Sequence, residues 1–365
     1  MKIGFYSSRI SFEPDSLITR GLGGSESAFL CLSQALKRNF PEDEVITYNL
    51  HSGKIKEYNG VICKTITDFY SEINSFDLDC LISLREPRLF KLPYIDSKLK
   101  MLWSQDNMEE QDLQWLTTNK YTQKNIDLIL SVSNYSGDTI IQAFPNLEKI
   151  TVMRNGFCKD FIPDEKFEKE KVAVYASTPY RGLDKLFELW PEILKHCREL
   201  KCEPKLKIFS SMSLYNQKDS PFLSSLQNKT SSYTESMIKD LNIEVFPAVS
   251  KKELYNEFQK SSVMLYPCKY TETSCMSVIE AISNGVWVVT TDRGALNESV
   301  IDGENGYLIK EGLDYDKQFI NKSVTSLVSN YYPNCMKIDN VHSWDNISIE
   351  FKRLLEREIE WFQES

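Results

Sequence analysis

The sequence predicts an α/β fold with two Rossmann-like, doubly wound domains, each built on a parallel sheet. Three observations lead to this prediction. Short apolar runs alternate along the whole chain with longer segments of helical spacing. The runs are apolar almost throughout, which is typical of strands buried on both faces of a parallel sheet. At 365 residues the chain is too long for one ordinary core and suits two domains.

Twelve runs are predicted strands, six in each half of the chain. Those of the first half are KIGFYS (2–7), VITYNL (45–50), CLISL (80–84), KMLWS (100–104), LILSVS (128–133) and KITVMR (149–154). Those of the second half are VAVYAS (172–177), KLKIFS (205–210), IEVFPAV (243–249), VMLYP (263–267), VWVVTT (286–291) and GYLI (306–309).

Apolar residues at three- and four-residue steps predict helices over 26–40, 182–196 and 343–362. The charged stretch 163–171 lacks such periodicity and is the candidate linker. The predicted division is a first domain over 1–160, a second over 161–344, and a final helix over 345–365.

Charge and composition limit the possible partners and cofactors. The net charge of −9 argues against nucleic acid as the main partner, because binding to a phosphate backbone needs a basic surface. Nine cysteines without a Cys-x-x-Cys pair, together with three histidines, give neither a disulfide framework nor a zinc site, so a cytoplasmic protein is expected. No run approaches the roughly 20 apolar residues of a membrane span, although peripheral membrane contact stays open.

The most informative stretch is 270–309, YTETSCMSVIEAISNGVWVVTTDRGALNESVIDGENGYLI. Ser274 is the predicted cap of a helix that stops at Gly285, with Glu272 before the helix and Glu280 inside it. The unpaired N–H groups and positive dipole end at a helix N-terminus suit a diphosphate. A carboxylate on each side can accept hydrogen bonds from sugar and ribose hydroxyls. The alternative is that two glutamates eight positions apart are a commonplace of helical sequences.

Further motifs surround this stretch in a fixed order. The pattern E-x7-E-A-x3-G, then an apolar strand, GAL-x-E and DG-x-x-GYL, resembles the donor site of glycosyltransferase family 4, retaining enzymes of the GT-B fold. Similar likenesses hold for GLGGSE (21–26), RNGFCKDF (154–161), STPYRGLDKLFELWPEI (177–193) and FPAVSKKELYNEF (246–258). The resemblance covers nearly the whole chain. It implies an acceptor-side N-terminal domain and a donor-side C-terminal domain facing each other across a cleft, with the last helix packing back on the first domain.

The resemblance also implies roles for individual residues. Glu272 would bind hydroxyls of the donor sugar and Glu280 the ribose. Arg181 occupies the place of a family lysine and would neutralise the leaving phosphate. The other implied donor contacts are the backbone N–H groups of Ser274, Cys275 and Met276, the nucleobase pocket at Ala248 and Val249, and the close-approaching backbone of Gly23 and Gly24. The alternative for that glycine loop is a flexible turn into the helix.

Three positions depart from the family pattern. Ser177 and Thr178 stand where a second basic residue is common. Arg85, in LREP, and Gln105, before Asp106, stand where histidines are common. None of His51, His196 or His342 lies in a motif, so no histidine base is predicted. A retaining front-face displacement needs none, because the leaving phosphate can take the acceptor proton.

Arg85 is the plainest departure, since an arginine is always charged and cannot act as a base. We expect it to pair with Glu86, with Asp106 or with an acidic group of a ligand; the alternative is a surface or loop-holding role. The predicted catalytic set is therefore Arg181, Glu272, Gly24 and Arg85.

Two other motifs are weaker. Asp77-x-Asp79 is similar to a metal-binding pair of the other glycosyltransferase fold, but it directly precedes a buried strand, so no metal is predicted. GLGGSE lacks the third glycine of a dinucleotide fingerprint, so NAD is not expected.

The predicted reaction moves a sugar from a nucleoside diphosphate donor, with a UDP-sugar slightly favoured, to a hydroxyl of a glycan, lipid-linked or small-molecule acceptor. No separate cofactor is expected. The alternatives are a GT-B sugar-nucleotide epimerase or hydrolase, and a degenerate transferase that only binds sugar nucleotide.

Overall fold

The computed structural model describes residues 1–144, 149–162, 168–215, 217–228, 232–329 and 343–364. The chain forms two compact units. Unit 1 takes its described residues from Met1–Leu17, Gly24–Lys159 and Asn340–Ser365, and unit 2 from Ile18–Gly23 and Asp160–Asp339. The glycine-rich segment Ile18–Gly23 thus groups with unit 2, whereas the sequence division placed it in the first domain.

Unit 1 contains one eight-stranded sheet. Its strands are β1 (Lys2–Ser7), β2 (Glu44–Asn49), β3 (Glu57–Tyr58), β4 (Val61–Thr65), β5 (Leu78–Leu84), β6 (Ser97–Ser104), β7 (Leu128–Ser131) and β8 (Ile150–Val152). The order across the sheet is β3-β4-β2-β1-β5-β6-β7-β8, and every pairing is parallel except that between β3 and β4. The sequence predicted six of these strands and missed β3 and β4.

Unit 2 contains a six-stranded sheet that is parallel throughout. Its strands are β9 (Glu170–Ala176), β10 (Lys205–Phe209), β11 (Ile243–Phe246), β12 (Ser261–Tyr266), β13 (Trp287–Thr291) and β14 (Gly306–Ile309). The order β11-β10-β9-β12-β13-β14 corresponds to the 3-2-1-4-5-6 order of a doubly wound nucleotide-binding sheet. All six strands lie at predicted runs. Glu170 and Lys171, assigned to the linker, begin β9 instead, while 163–167 fall outside the described residues.

Helices cover the sheets. In chain order they are α1 (Ser16–Thr19), α2 (Gly24–Asn39), α3 (Ile66–Glu72), α4 (Gln111–Thr118), α5 (Lys120–Lys124), α6 (Asn134–Ala143), α7 (Leu183–Glu199), α8 (Pro221–Asn228), α9 (Ser232–Asp240), α10 (Lys251–Lys260), α11 (Met276–Ser283), α12 (Leu296–Ser299), α13 (Tyr315–Val328) and α14 (Trp344–Glu364). Within the described ranges, none of these helices has the length and apolar character to cross a membrane.

The final helix α14 belongs to unit 1 and lies along α2. Arg38 Nε donates to Asp345 Oδ1 at 2.9 Å, and Asn39 Nδ2 donates to Ser348 Oγ at 2.8 Å. Its apolar side is buried at Phe351 and Leu355, as helical periodicity in 343–362 predicts.

In each unit one pair of neighbouring strands marks the point where strand order reverses. These pairs are β9 and β12 in unit 2, and β1 and β5 in unit 1. Successive connections leave such a pair in opposite directions, so a crevice opens beyond the carboxyl ends of the two strands. Ligands of doubly wound sheets bind in that crevice. The fold therefore gives each unit one favoured place for polar chemistry.

Candidate functional site

The crevice of unit 2 is occupied by a buried ion pair. Arg181 follows β9 in a short 3₁₀ turn, and Glu272 follows β12 in the loop before α11. Arg181 Nη1 lies 2.7 Å from Glu272 Oε1 and 2.8 Å from Oε2. The Glu272 side chain is 2% exposed and that of Arg181 is 23% exposed. Two residues that the sequence predicted separately, 91 positions apart, are thus in direct contact.

Two tyrosines support this pair. The Tyr266 hydroxyl, at the last residue of β12, donates to Glu272 Oε1 at 2.5 Å. The ring of Tyr270 lies with its centroid 4.5 Å from the Arg181 guanidinium carbon, within the range of a cation–π contact. Tyr266 restrains the carboxylate and Tyr270 restrains the guanidinium, so both charged groups are held in fixed positions.

Arg181 keeps hydrogen-bonding capacity that the protein does not use. Its Nε is buried and has no hydrogen-bond partner in the described structure, and the same is true of Thr178 Oγ1 nearby in the chain. A buried donor without an acceptor is costly, and it is usually satisfied by a water or a ligand. Arginine donates in a planar fork that matches phosphate oxygens. This part of the crevice is therefore suited to an anionic ligand.

Two glycines bring the backbone of the site into close contact. Gly182 has φ of +127°, and a Cβ on it would lie 2.1 Å from the Pro267 carbonyl oxygen. Gly294 has φ of +59°, and a Cβ there would lie 2.3 Å from the Glu272 carbonyl oxygen. A side chain at either glycine would push the two neighbouring main-chain segments apart. These glycines fix the main chain next to Arg181 and at Glu272.

The helix that follows Glu272 begins later than predicted. Cys275, with φ −82° and ψ 97°, is the N-cap of α11, and no side chain caps the helix. The prediction that Ser274 is the cap was wrong, because the chain stays extended for one more residue. The first-turn N–H groups have no carbonyl partner inside the helix, as at any helix start. An uncapped N-terminus at Cys275 and Met276 leaves these donors available to an anion.

Glu280 is held by a partner that the sequence did not suggest. Lys251 Nζ, at the first residue of α10, lies 2.7 Å from Glu280 Oε1 and also 2.7 Å from Oε2. Both side chains are buried. Burial raises the pKa of the Glu280 carboxyl, and the Lys251 ammonium opposes that rise. The carboxylate assigned to the ribose is therefore already neutralised by a lysine of the same unit.

The glycine-rich loop and the segment of Ala248 meet inside unit 2. A Cβ on Gly21 would lie 2.6 Å from Cβ of Ala248, so this glycine permits the closest approach of the loop. Gly23 is the last loop residue in unit 2, and Gly24 is the first residue of α2 in unit 1. Ala248 and Val249 are partly exposed just before α10. The close approach of Gly23 and Gly24 to a donor stays a prediction, whereas the close contact at Gly21 is one within the protein.

The crevice of unit 1 is also charged, and Arg85 lies at its centre. Arg85 directly follows β5 and has φ of +63°, which is uncommon for a residue other than glycine. Its Nε donates to Asp106 Oδ2 at 2.8 Å, and its Nη2 lies 2.7 Å from Asp106 Oδ1. Of the partners that the sequence offered, the structure selects Asp106; Glu86 instead accepts two hydrogen bonds from Ser8.

A buried carboxylate lies beside this arginine. Glu26, in the first turn of α2, is 2% exposed, and its Oε1 is 3.9 Å from Arg85 Nη1. Burial raises the pKa of the Glu26 carboxyl, and the Arg85 charge offsets this only in part. Arg9 adds contacts to Asp106 and to Glu110. The guanidinium of Arg85 is therefore balanced by carboxylates of its own unit.

Gln105 has a definite structural partner. Its Nε2 donates to Asn155 Oδ1 at 3.0 Å, and Asn155 Nδ2 donates back to Gln105 Oε1 at 2.9 Å. Asn155 is fully buried and belongs to the RNGFC segment. Two primary amides can form this reciprocal pair, whereas an imidazole cannot. The glutamine at a position where the resemblance led us to expect histidine thus joins two segments of unit 1.

Asp79 of the Asp77-x-Asp79 motif lies inside β5, whereas the sequence analysis placed the motif before the strand. Asp79 Oδ1 accepts from Lys98 Nζ at 2.7 Å, and Asp79 Oδ2 accepts from the backbone N–H of Lys2 at 2.7 Å. The two carboxylate oxygens thus connect β5 to its two neighbours in the sheet, β6 through Lys98 and β1 through Lys2. Across the ranges that the structure describes, no cluster of three or more metal-binding side chains is found.

Sequence reasoning missed three residues at the crevice of unit 2: Tyr266, Tyr270 and Lys251. Tyr266 ends an apolar run and looks like part of the core, while Lys251 follows Ser250 at a helix start and looks like a surface lysine.

Comparison with known proteins gives three findings. Residues 159–340 match the family model described as Glycosyl transferases group 1. A curated relative, lipopolysaccharide 1,2-N-acetylglucosaminetransferase from Salmonella typhimurium, is 24% identical over 117 residues, which are 31% of this chain. The aligned part spans 30% of that relative's own length.

Solved structures share the fold. Sucrose-phosphate synthase from Thermosynechococcus elongatus has a TM-score of 0.66 at 12% identity, over 100% of both chains. HepE from Anabaena, determined with UDP and glucose, has a TM-score of 0.65 at 14% identity, over 98% of this chain and 100% of its own. The predicted fold, two doubly wound α/β domains of the GT-B type, is confirmed.

Proposed function

We propose that this chain, whose residues 159–340 match the family model described as Glycosyl transferases group 1, transfers a sugar from a nucleoside diphosphate donor to an acceptor hydroxyl with retention of anomeric configuration. One observation carries the proposal. Arg181, with an unsatisfied buried Nε, lies with Glu272 at the strand-order reversal of unit 2, followed by the uncapped N-terminus of α11.

The diphosphate would bind between Arg181 and the start of α11. Arg181 Nη1 contacts Glu272, which leaves Nε and Nη2 for phosphate oxygens. The backbone N–H groups at Cys275 and Met276 would add uncharged donors, and the helix dipole favours the negative charge. The leaving diphosphate gains charge as the sugar departs, and Arg181 stabilises that charge.

The donor sugar would then lie against Glu272. A carboxylate that is restrained by Tyr266 and Arg181 can accept hydrogen bonds from sugar hydroxyls in one fixed orientation. In the transfer step, the bond from the anomeric carbon to the phosphate oxygen breaks. The acceptor oxygen forms its bond on the same face, and its proton passes to the departing phosphate. No protein base is needed for this step.

The nucleoside would extend towards Glu280 and Ala248. Glu280, with Lys251 in contact with both of its carboxylate oxygens, would accept hydrogen bonds from ribose hydroxyls. We favour a UDP-sugar, since HepE was determined with UDP and glucose and with UDP-glucose, and the similar pneumococcal O-GlcNAc transferase GtfA with UDP and GlcNAc. The leaving diphosphate needs a positive charge beside it, and Arg181 would supply that charge in place of a metal ion. We therefore propose that turnover is metal-independent.

Isothermal titration of the full chain with UDP, GDP, ADP and CDP tests the donor assignment. We expect UDP to bind most tightly, with Arg181→Ala binding it at least tenfold more weakly. Arg198→Ala is the matched control, because Arg198 pairs with Glu203 on the exposed surface of the same unit. Absence of binding by every nucleoside diphosphate would overturn the proposal.

Turnover with candidate UDP-sugars separates the remaining alternatives. A transferase consumes donor much faster when acceptor is present, and the anomeric proton coupling of the product shows retention. Epimerisation or hydrolysis of donor without acceptor would favour the epimerase or hydrolase alternative. Binding without any turnover across donor and acceptor panels would favour the degenerate transferase.

A further inference from the structure

Two thiols of unit 1 that are distant in the sequence come into contact. Sγ of Cys31 and Sγ of Cys158 lie 2.7 Å apart, although the residues are 127 positions apart. A disulfide bond is about 2.05 Å long, so these atoms are within roughly 0.7 Å of bonding distance. The fold of unit 1 therefore already places the two sulfur atoms side by side.

Both thiols lie on restrained segments. Cys31 lies in the middle of α2. The helix α14 lies along α2 and is joined to it by the hydrogen bond from Arg38 to Asp345. Cys158 follows Phe157, whose carbonyl accepts the Trp344 N–H at 3.0 Å. The start of α14 therefore holds both segments, and the sulfur contact does not depend on a chance loop position.

The two thiols differ in access. Cys31 is 5% exposed, whereas Cys158 is only partly buried. A reagent from solution can therefore reach Cys158 first. Cys31 is more deeply buried and lies next to Cys158, so it can attack Cys158 once that thiol has reacted. Neither thiol takes part in the proposed sugar transfer, so this inference stands independently of that function.

We propose that Cys31 and Cys158 are a reversible thiol–disulfide pair that closes by exchange with a low-molecular-weight disulfide. The Cys158 thiolate attacks one sulfur of the small disulfide, forming a mixed disulfide and releasing one small thiolate. The Cys31 thiolate then attacks Cys158 Sγ, releasing the second. Two electrons pass to the small disulfide, and the two protons lost by the cysteines end on the two small thiols.

The closed pair would join the middle of α2 to the end of the Gly24–Lys159 segment of unit 1. Cys158 directly precedes Lys159, the last residue of the long unit 1 segment. A covalent link between residues 127 positions apart restricts the unfolded chain strongly. Closure should therefore raise the melting temperature of unit 1 by at least about 5 °C.

Peptide mapping by mass spectrometry tests the pair directly. The full chain is incubated with glutathione buffers of graded oxidised fraction, alkylated, digested and compared with a dithiothreitol-treated sample. We expect a peptide pair joined through Cys31 and Cys158, about 2 Da lighter than the two reduced peptides and abolished by dithiothreitol. The melting temperature should rise in parallel.

Single variants give the control. Cys158→Ala and Cys31→Ala should both lose the cross-linked peptide and the rise in melting temperature. Cys63→Ala should keep both, because it removes a buried thiol of the same unit that donates a hydrogen bond to the Val61 carbonyl and is not part of the proposed pair. A stable glutathione adduct at Cys158 that is never resolved by Cys31 would overturn the proposal. So would a cross-link from either cysteine to another, including Cys335, which lies outside the described residues.

Discussion

Removing Arg181 should cost the apo protein more stability than removing Glu272, because the two side chains differ in burial. In Arg181→Met, Glu272 is left as a carboxylate that is 2% exposed and has lost both short contacts to the guanidinium. Breaking a buried ion pair from one side typically costs about 3–5 kcal/mol. Tyr266 still donates to Glu272, which places the expected loss near the lower end, about 3 kcal/mol.

The opposite change is milder. In Glu272→Gln, Arg181 stays 23% exposed and keeps its contact with Tyr270, so water can solvate part of its charge. The loss should be about 1.5–2 kcal/mol, the lower end of the range for a hydrogen bond to a charged group. The double variant has neither charge, so it should lose less than the sum of the two, with a coupling of about 1–3 kcal/mol.

Urea unfolding of the four proteins without ligand measures these differences. Arg198→Met serves as the control and should unfold like the wild type, because its pair with Glu203 is exposed. Losses that add within about 0.5 kcal/mol would show that Arg181 and Glu272 do not interact in solution. The affinity for UDP gives an independent check. Glu272→Gln should bind UDP at least as tightly as the wild type, because Arg181 is no longer shared between the Glu272 carboxylate and the diphosphate.

Four further outcomes are expected. Glu280→Ala should bind UDP at least tenfold more weakly in calorimetry, and wild-type affinity would contradict the ribose assignment. Arg85→Ala, in unit 1, should lower turnover at least tenfold while the UDP dissociation constant stays within twofold; near-normal turnover would leave Arg85 a loop-holding residue. The raised pKa of Glu26 means that the folded state holds its proton more tightly than the unfolded state, so ionisation costs stability as pH rises above about 4.3. Glu26→Gln should therefore gain stability relative to wild type between pH 4 and pH 7 in urea unfolding, and a pH-independent difference would refute this. Turnover should persist in EDTA, whereas full loss that manganese restores would return attention to Asp77 and Asp79.

The parallel strands were predictable because strands buried on both faces need long apolar runs. The two missed strands lie at the edge of the unit 1 sheet, where β3 has only two residues and β4 includes the partly exposed Lys64. Such strands bury little, so their sequence carries no continuous apolar signal. Local pattern therefore indicated the centre of each sheet and failed at one edge.

The site could be predicted as separate residues and not as contacts. Arg181 and Glu272 were each identified from their motifs, yet their pairing depends on two strands that become neighbours only in the folded sheet. Lys251 was not identified, because a lysine at a helix start normally faces water and only tertiary packing buries it against Glu280. Arg85 shows the same limit, since sequence offered three partners and the fold selected Asp106.

The glycines at 182 and 294 also affect how this chain can be engineered. An alanine scan removes side chains and treats glycines as neutral positions, yet here the added methyl groups would collide with the main chain at Pro267 and at Glu272. Libraries that aim to change the accepted donor should therefore keep both glycines fixed and diversify aromatic neighbours such as Tyr270. At these two positions, tolerance to mutation is set by backbone spacing, whatever the chemical character of the side chain that is introduced.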